Sequence, residues 1–264
     1  MPRFAANLSF LYQELPFLER FRAAAEDGFR GVEYLFPYEY DPETIAACLQ
    51  DNGLQQVVFN APPGDWAAGE RGIAAVPGRE LEFRSSIATA LDYAVRLGNP
   101  LLHVMAGLAM DTNNRDAMRE TYLDNLRYAA HEAAEVNRII LIEPINSRDM
   151  PGYFLNSQEQ AHTIRAEVEA SNLKVQFDLY HAQIVEGDLE TKLRQWAGEY
   201  VHVQVASVPL RNEPDRGETN YPHLFRVLDD IDYRGWVGCE YRPSTTTRDG
   251  LDWFRKHRDI SSTK

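Results

Sequence analysis

The 264-residue chain carries only two cysteines, Cys48 and Cys239, in apolar surroundings and without metal-type spacing. That excludes a disulfide framework and a thiolate metal cluster, and fits reduced thiols in the cytosol. No stretch approaches the roughly 20 apolar residues of a membrane span. The start, Met-Pro-Arg-Phe-Ala-Ala, lacks a long apolar signal core, so neither export nor membrane insertion is expected. No Lys/Arg-rich run occurs, and 27 basic residues stand against 40 acids for a net charge of −13. Such a charge repels phosphate backbones, which speaks against a nucleic-acid partner. A Gly-x-Gly-x-x-Gly or Walker-type loop is also missing, so no nucleotide phosphate cradle is expected.

What is present is an ordinary soluble composition, 44% hydrophobic and 25% charged, sufficient for a sizeable core. Eight short apolar runs recur at residues 3–9, 31–36, 55–60, 101–107, 138–144, 173–181, 201–207 and 235–241. Their near-continuous apolar character suits parallel strands covered on both faces. Between them lie amphipathic segments such as 16–27, 42–52, 79–97, 115–136 and 157–170, which predict helices. Asp41-Pro42-Glu43 reads as an N-cap with proline at the first helical position, and Gly28, Gly53 and Gly98 each follow a helical stretch as stop residues. Eight strand–helix alternations over this length predict an α/β fold, a (β/α)₈ TIM barrel, as a single domain over residues 1–264. The two longest connections, 61–78 and 208–220, are read as walls of an active site.

In a barrel the chemistry sits where strands end, so polar residues closing apolar runs are the candidates. Four runs, the fifth to the eighth, close on Glu143, Asp178, Gln204 and Glu240. Singly, each acid could end a strand by chance or pair with an arginine, and Gln204 could be a simple hydrogen-bonding residue. Three carboxylates converging on one cavity would repel one another unless a cation sat among them. Three carboxylates and an amide oxygen form an all-oxygen set suited to Mg²⁺ or Mn²⁺.

The segments Arg3–Ser9, Phe29–Glu33, Pro63–Gly72, Leu141–Asn146, Gly217–Tyr221 and Gly235–Tyr241 together carry a resemblance. The chain resembles the hydroxypyruvate isomerase family, within the xylose isomerase-like barrel superfamily that also includes tagatose/psicose epimerases and endonuclease IV. The resemblance implies a metal held by Glu143, Asp178, Gln204 and Glu240, with Glu143 and Glu240 as the proton-transferring pair, and a place in glyoxylate metabolism. Superfamily relatives often have histidine where this chain has Gln204, a departure that favours an all-oxygen site over zinc.

The implied reaction interconverts hydroxypyruvate and tartronate semialdehyde by moving one proton between C3 and C2 through an enediolate, with no redox cofactor. His181 resembles a substrate-contacting histidine of the related epimerases, or is a satisfied rim histidine. The substrate carboxylate calls for an arginine. Arg71, Arg79, Arg211 and Arg242 are the candidates, with Arg71 and Arg211 preferred; Glu70 is read as fixing Arg71, and Trp66 as a lid or a packing residue. His103 and His202 are read as structural, His202 by placing it on the strand face opposite Gln204. The same site could serve a 2-oxo-tetronate isomerase or a ketose 3-epimerase, or a non-catalytic sugar-binding barrel could retain it. A phosphodiester-cleaving endonuclease would need a histidine cluster and a basic face. The expected partner is a small 2-oxo acid or sugar acid, and a homo-oligomer is compatible with all of this.

Overall fold

A computed structural model describes residues 2–109 and 114–261. In chain order the elements are β1 (Arg3–Asn7), α1 (Phe17–Asp27), β2 (Gly31–Glu33), α2 (Pro42–Asn52), β3 (Gln55–Gln56), β4 (Val58–Asn60), α3 (Glu80–Arg96), β5 (Leu101–His103) and α4 (Arg115–Glu135). There follow β6 (Ile139–Ile142), α5 (Gln158–Val168), β7 (Leu173–Asp178), α6 (Leu179–Val185), α7 (Leu189–Gln195), β8 (Tyr200–Val205), α8 (Tyr221–Asp230), β9 (Trp236–Cys239) and α9 (Asp252–Ser261). The alternation predicted from apolar periodicity is present, with two adjustments. The third apolar run divides at Val57 into β3 and β4, and the sixth stops at Asp178, where a helix begins.

The chain forms two compact units. The first contains the residues up to Tyr34, Ala47–Val57 and those from Phe177 onward. Its strands run parallel in the order β3-β2-β1-β9-β8. Asn7 stands in register with Glu33, and Gly238 with both Ala5 and Gln204. β2 and β9 are buried along their whole length, as covered parallel strands should be. An aromatic core supports them: Phe4 meets Phe225 and Trp253 edge-on at 5.3 and 5.4 Å, while Phe29 stacks on Phe254 at 4.1 Å.

The second unit contains Leu35–Ala46 and Val58–Gln176. Its strands are parallel in the order β4-β5-β6-β7. Its helices α3 and α4 bury apolar stripes that include Phe83, Ile87, Leu91, Tyr122 and Leu126.

Local signals act as read. The Asp41 carboxylate accepts from the Glu43 N–H at 3.1 Å, capping α2. Gly28 closes α1 at φ 100°, and Phe29 N–H returns to Ala24 at 3.0 Å. Ser157 caps α5 by accepting from Gln160 N–H. The 61–78 connection is pinned by an antiparallel bridge between Gly72 and Ala106. Gly72 has φ 106°, and a Cβ there would stand 2.3 Å from the Met105 carbonyl oxygen. Cys48 and Cys239 are both free. Among the described residues no helix is long and apolar enough to cross a membrane.

Candidate functional site

In the first unit, β1, β2, β8 and β9 carry a set of buried polar side chains whose contacts follow from strand register. Asn7 ends β1, Glu33 ends β2, His202 and Gln204 lie in β8, and Glu240 follows β9. All five are at most 7% exposed. Glu33 Oε1 accepts from Asn7 Nδ2 at 3.0 Å and from Gln204 Nε2 at 2.8 Å. Its Oε2 lies 2.7 Å from His202 Nε2. The same two amides also serve Glu240, whose Oε2 accepts from Asn7 at 2.9 Å and from Gln204 at 2.6 Å. The two glutamates are therefore joined by a pair of bridging amides.

Arg211 closes the other side of Glu240, its Nη2 donating to Oε1 at 2.5 Å. The loop after β8 turns sharply to present it: Arg211 has φ 57°, and its N–H donates to Ser207 O at 2.8 Å. Its guanidinium packs against the rings of Phe10 and Tyr180, each 4.9 Å away. The same Nη2 lies 3.5 Å from His181 Nε2 and 3.9 Å from Asp178 Oδ2. Asp178 uses Oδ1 as the N-cap of α6, accepting from the N–H groups of Tyr180 and His181 at 2.7 and 3.3 Å. Its Oδ2 lies 3.5 Å from His181 Nε2.

This arrangement gathers three buried carboxyl groups, Asp178 and Glu240 beside Arg211 and Glu33 joined to Glu240 through the bridging amides. Burial pushes the Glu240 carboxyl up to about 8; Arg211 opposes the rise, and Asp178 and Glu33 add to it. A local excess of buried negative charge is what a divalent cation neutralises, and carboxylate, amide and imidazole donors all suit one. His181 is likewise buried and adds an imidazole to that donor chemistry.

In the second unit, Glu143 directly follows β6 and is 6% exposed. His103, closing β5, places Nδ1 3.6 Å from Glu143 Oε2 and 3.1 Å from Asn60 Oδ1 at the end of β4. Tyr153 donates no proton readily: burial, with the Glu143 charge adding to it, holds its hydroxyl well above the ordinary range.

Several sequence expectations need correction. His202 and Gln204 are two residues apart on one strand and therefore share a face; both reach Glu33, so His202 belongs to the polar set. His181 lies on α6 and not in a strand, three residues past the cap Asp178. Glu70 does not fix Arg71, because its carboxylate takes the Arg79 guanidinium and the Asp65 N–H. The Arg79 bond holds the Glu70 carboxyl below its usual range. Arg79 is also shared with Glu82, and so is occupied at both ends of its fork. Arg71 stacks on Trp66 at 4.0 Å, and its Nη1 donates to the Trp66 and Glu70 carbonyls. Trp66, partly exposed, also meets Phe36 edge-on at 5.1 Å. Arg242 is exposed, and its backbone N–H donates to Arg211 O at 2.7 Å.

Asn7 and Glu33 were missed by sequence reasoning. For Asn7 the signal was the one that exposed the other four, a polar residue closing an apolar strand; the three-residue β2 is too short to show it for Glu33.

The family described as xylose isomerase-like TIM barrel matches residues 21–257, and the chain belongs to it. Membership gives the chain the TIM-barrel fold class expected from its strand–helix alternation. The chain is 58% identical to a 2-oxo-tetronate isomerase of Cupriavidus necator over 97% of its own length and 99% of that protein. It is 48% identical to the hydroxypyruvate isomerase of Escherichia coli, with 98% and 100% covered. A crystal structure from Brucella melitensis described as AP endonuclease, family 2, superposes with TM-score 0.96 at 54% identity, covering 97% of this chain and 99% of that one. With these relatives, the chain is an isomerase acting on a small molecule.

Proposed function

We propose that this isomerase moves a proton between C3 and C2 of a short 2-oxo acid bearing a C3 hydroxyl, using a divalent cation held by Glu143, Asp178, Gln204 and Glu240. The observation that carries the reading is the buried acidic excess around Arg211, with the Glu240 carboxyl pushed up to about 8. Identity to relatives over nearly the whole chain supports the substrate class. A four-carbon 2-oxo-tetronate takes precedence, because the relative so named is 58% identical against 48% for the hydroxypyruvate isomerase. Hydroxypyruvate, the substrate expected from the sequence, stands second. Both reactions share the same C3-to-C2 proton transfer, and the cytoplasm is the proposed compartment.

The donor set fits Mg²⁺ or Mn²⁺, being dominated by oxygen. Bound there, such an ion supplies Lewis-acid stabilisation of negative charge developing on adjacent substrate oxygens. Glu240 and Glu143 are the proton-moving pair: one withdraws the C3 proton and the other returns one to C2, with roles exchanged in the reverse direction. A carboxyl drawn towards neutrality, as Glu240 is, suits both halves of that task. Arg211 orients Glu240 through the 2.5 Å bond and presents positive charge to an anionic substrate. His181, within 3.5 Å of Arg211, steadies a substrate oxygen, and Arg71 beside Trp66 is the second candidate for the substrate carboxylate.

A phosphodiesterase reading has the Brucella description in its favour, but the net charge of −13 opposes a nucleic-acid substrate. The test is turnover: 2-oxo-tetronates and hydroxypyruvate assayed side by side with added Mg²⁺ or Mn²⁺. Isomerisation of either supports the proposal, and turnover of neither refutes it.

A further inference from the structure

We propose that Glu213 is a positioning residue: its carboxylate latches the loop that carries Arg211 onto the segment after β9, and so sets where the Arg211 guanidinium stands. The inference rests on the reading of Arg211 above and assigns a role to a buried acid that the proposed reaction does not use. Arg211 is only 9% exposed, although Leu210 beside it is 73% exposed. Its φ of 57° is a left-handed conformation that a long side chain keeps only where the surroundings hold it. The grip of Arg211 on Glu240 therefore depends on what holds the loop.

Two rungs join this loop to residues 242–244. In the first, Arg242 N–H donates to Arg211 O at 2.7 Å, and Asn212 Nδ2 donates to Arg242 O at 2.7 Å. In the second, Glu213 Oε1 accepts from the Ser244 N–H at 3.0 Å and from Ser244 Oγ at 3.1 Å. A charged acceptor makes each of those bonds stronger than a neutral oxygen would. Glu213 is 0% exposed, so water does not compete for its oxygens. Arg216 Nε, 3.7 Å from Oε2, offsets the buried charge. The seat of the carboxylate is made by Gly250, where a Cβ would lie 2.4 Å from Glu213 Oε1. Removing the carboxylate would leave the Ser244 donors to water and release the loop two residues from Arg211.

The test is kcat/KM for whichever of 2-oxo-tetronate and hydroxypyruvate the unsubstituted chain turns over, measured in a double-mutant cycle with Arg211. Glu213→Ala is expected to lower kcat/KM roughly 10- to 100-fold, the size that a displacement of about 1 Å in a positioned group brings. In the Arg211→Met background the same substitution should cost nothing further. Glu213→Gln keeps an acceptor oxygen for Ser244 and should restore most of the loss. Gly250→Ala, which displaces the carboxylate without removing it, should reproduce the Glu213→Ala loss. Far-UV circular dichroism checks that each variant is folded, and Gly250→Ala keeps the test open if Glu213→Ala is not. Losses that multiply in the double variant would overturn the proposal, since Glu213 would then act independently of Arg211. A lowered Tm with kcat/KM unchanged would also overturn it, because the latch would then serve stability alone. Turnover of neither substrate by the unsubstituted chain would reject the proposed reaction, full activity in Arg211→Met would reject the reading of Arg211, and either would take this inference with it.

Discussion

Arg211 and Glu240, 29 residues apart in sequence, meet in a buried 2.5 Å hydrogen bond, and the same guanidinium packs against Phe10 and Tyr180. The pair ties the loop after β8 to the end of β9, and Arg211 opposes the rise that burial imposes on the Glu240 carboxyl.

Removing the cationic partner should move the Glu240 titration. Arg211 opposes the rise of the Glu240 carboxyl, so Arg211→Met should carry it further above about 8. If Glu240 must be ionised to accept a proton, the pH at which kcat/KM rises shifts upward in Arg211→Met, and Arg211→Lys falls between the two. A pH–rate profile of the three proteins checks this, and coincident profiles would dissociate Arg211 from Glu240.

Cation binding should be coupled to proton release. A carboxyl at about 8 is largely protonated at pH 7, and it must ionise to ligate. Mn²⁺ affinity should therefore rise with pH up to about 8 and level off above it. Calorimetry in buffers of different ionisation enthalpy should show protons released at pH 7 and few at pH 9. The sign for stability without cation is the reverse. A carboxyl whose folded value lies above its unfolded value, about 4.3, contributes most below pH 4 and progressively destabilises as pH rises toward 8. Glu240→Gln should flatten that dependence in thermal melts.

Chelation gives an orthogonal check. After exhaustive dialysis against EDTA, activity should vanish and return with Mg²⁺ or Mn²⁺. A cation at 100 times its Kd should stabilise the fold by about 2.7 kcal/mol, seen as a raised Tm. An unchanged Tm and full activity after chelation would remove the metal from the account.

The 61–78 loop depends on Gly72. Alanine there would have to adopt φ 106° and place Cβ 2.3 Å from the Met105 carbonyl oxygen. Strain of that kind costs about 1–3 kcal/mol, and Gly72→Ala should lose at least that much in urea unfolding. Gly53→Ala has a positive φ but nothing within 4 Å, so it should cost less.

The strand–helix alternation and the four acid or amide strand ends were legible because burial on both faces writes itself into continuous apolar runs. What escaped was set by pairing between distant segments. β2 is three residues long, too short for its closing Glu33 to stand out, although Asn7 and Glu33 sit opposite one another. The apolar run Leu179–Val185 continues that of β7 and hides the helix which the Asp178 cap starts. His202 shares the Gln204 face because residues two apart on a strand point the same way. The partner of Glu70 was set by the fold of its loop, which brings Arg79 onto it in place of the adjacent Arg71.

The central claim is that Glu143 and Glu240 carry the proton between C3 and C2. Turnover of 2-oxo-tetronate and hydroxypyruvate, followed by proton NMR in D₂O with Mg²⁺ present, tests it directly. The unsubstituted chain should isomerise at least one of them with deuterium entering at C2. Glu143→Gln and Glu240→Gln should each stay folded and lose roughly 10²- to 10⁴-fold in rate. Either variant working at the unsubstituted rate would contradict the account.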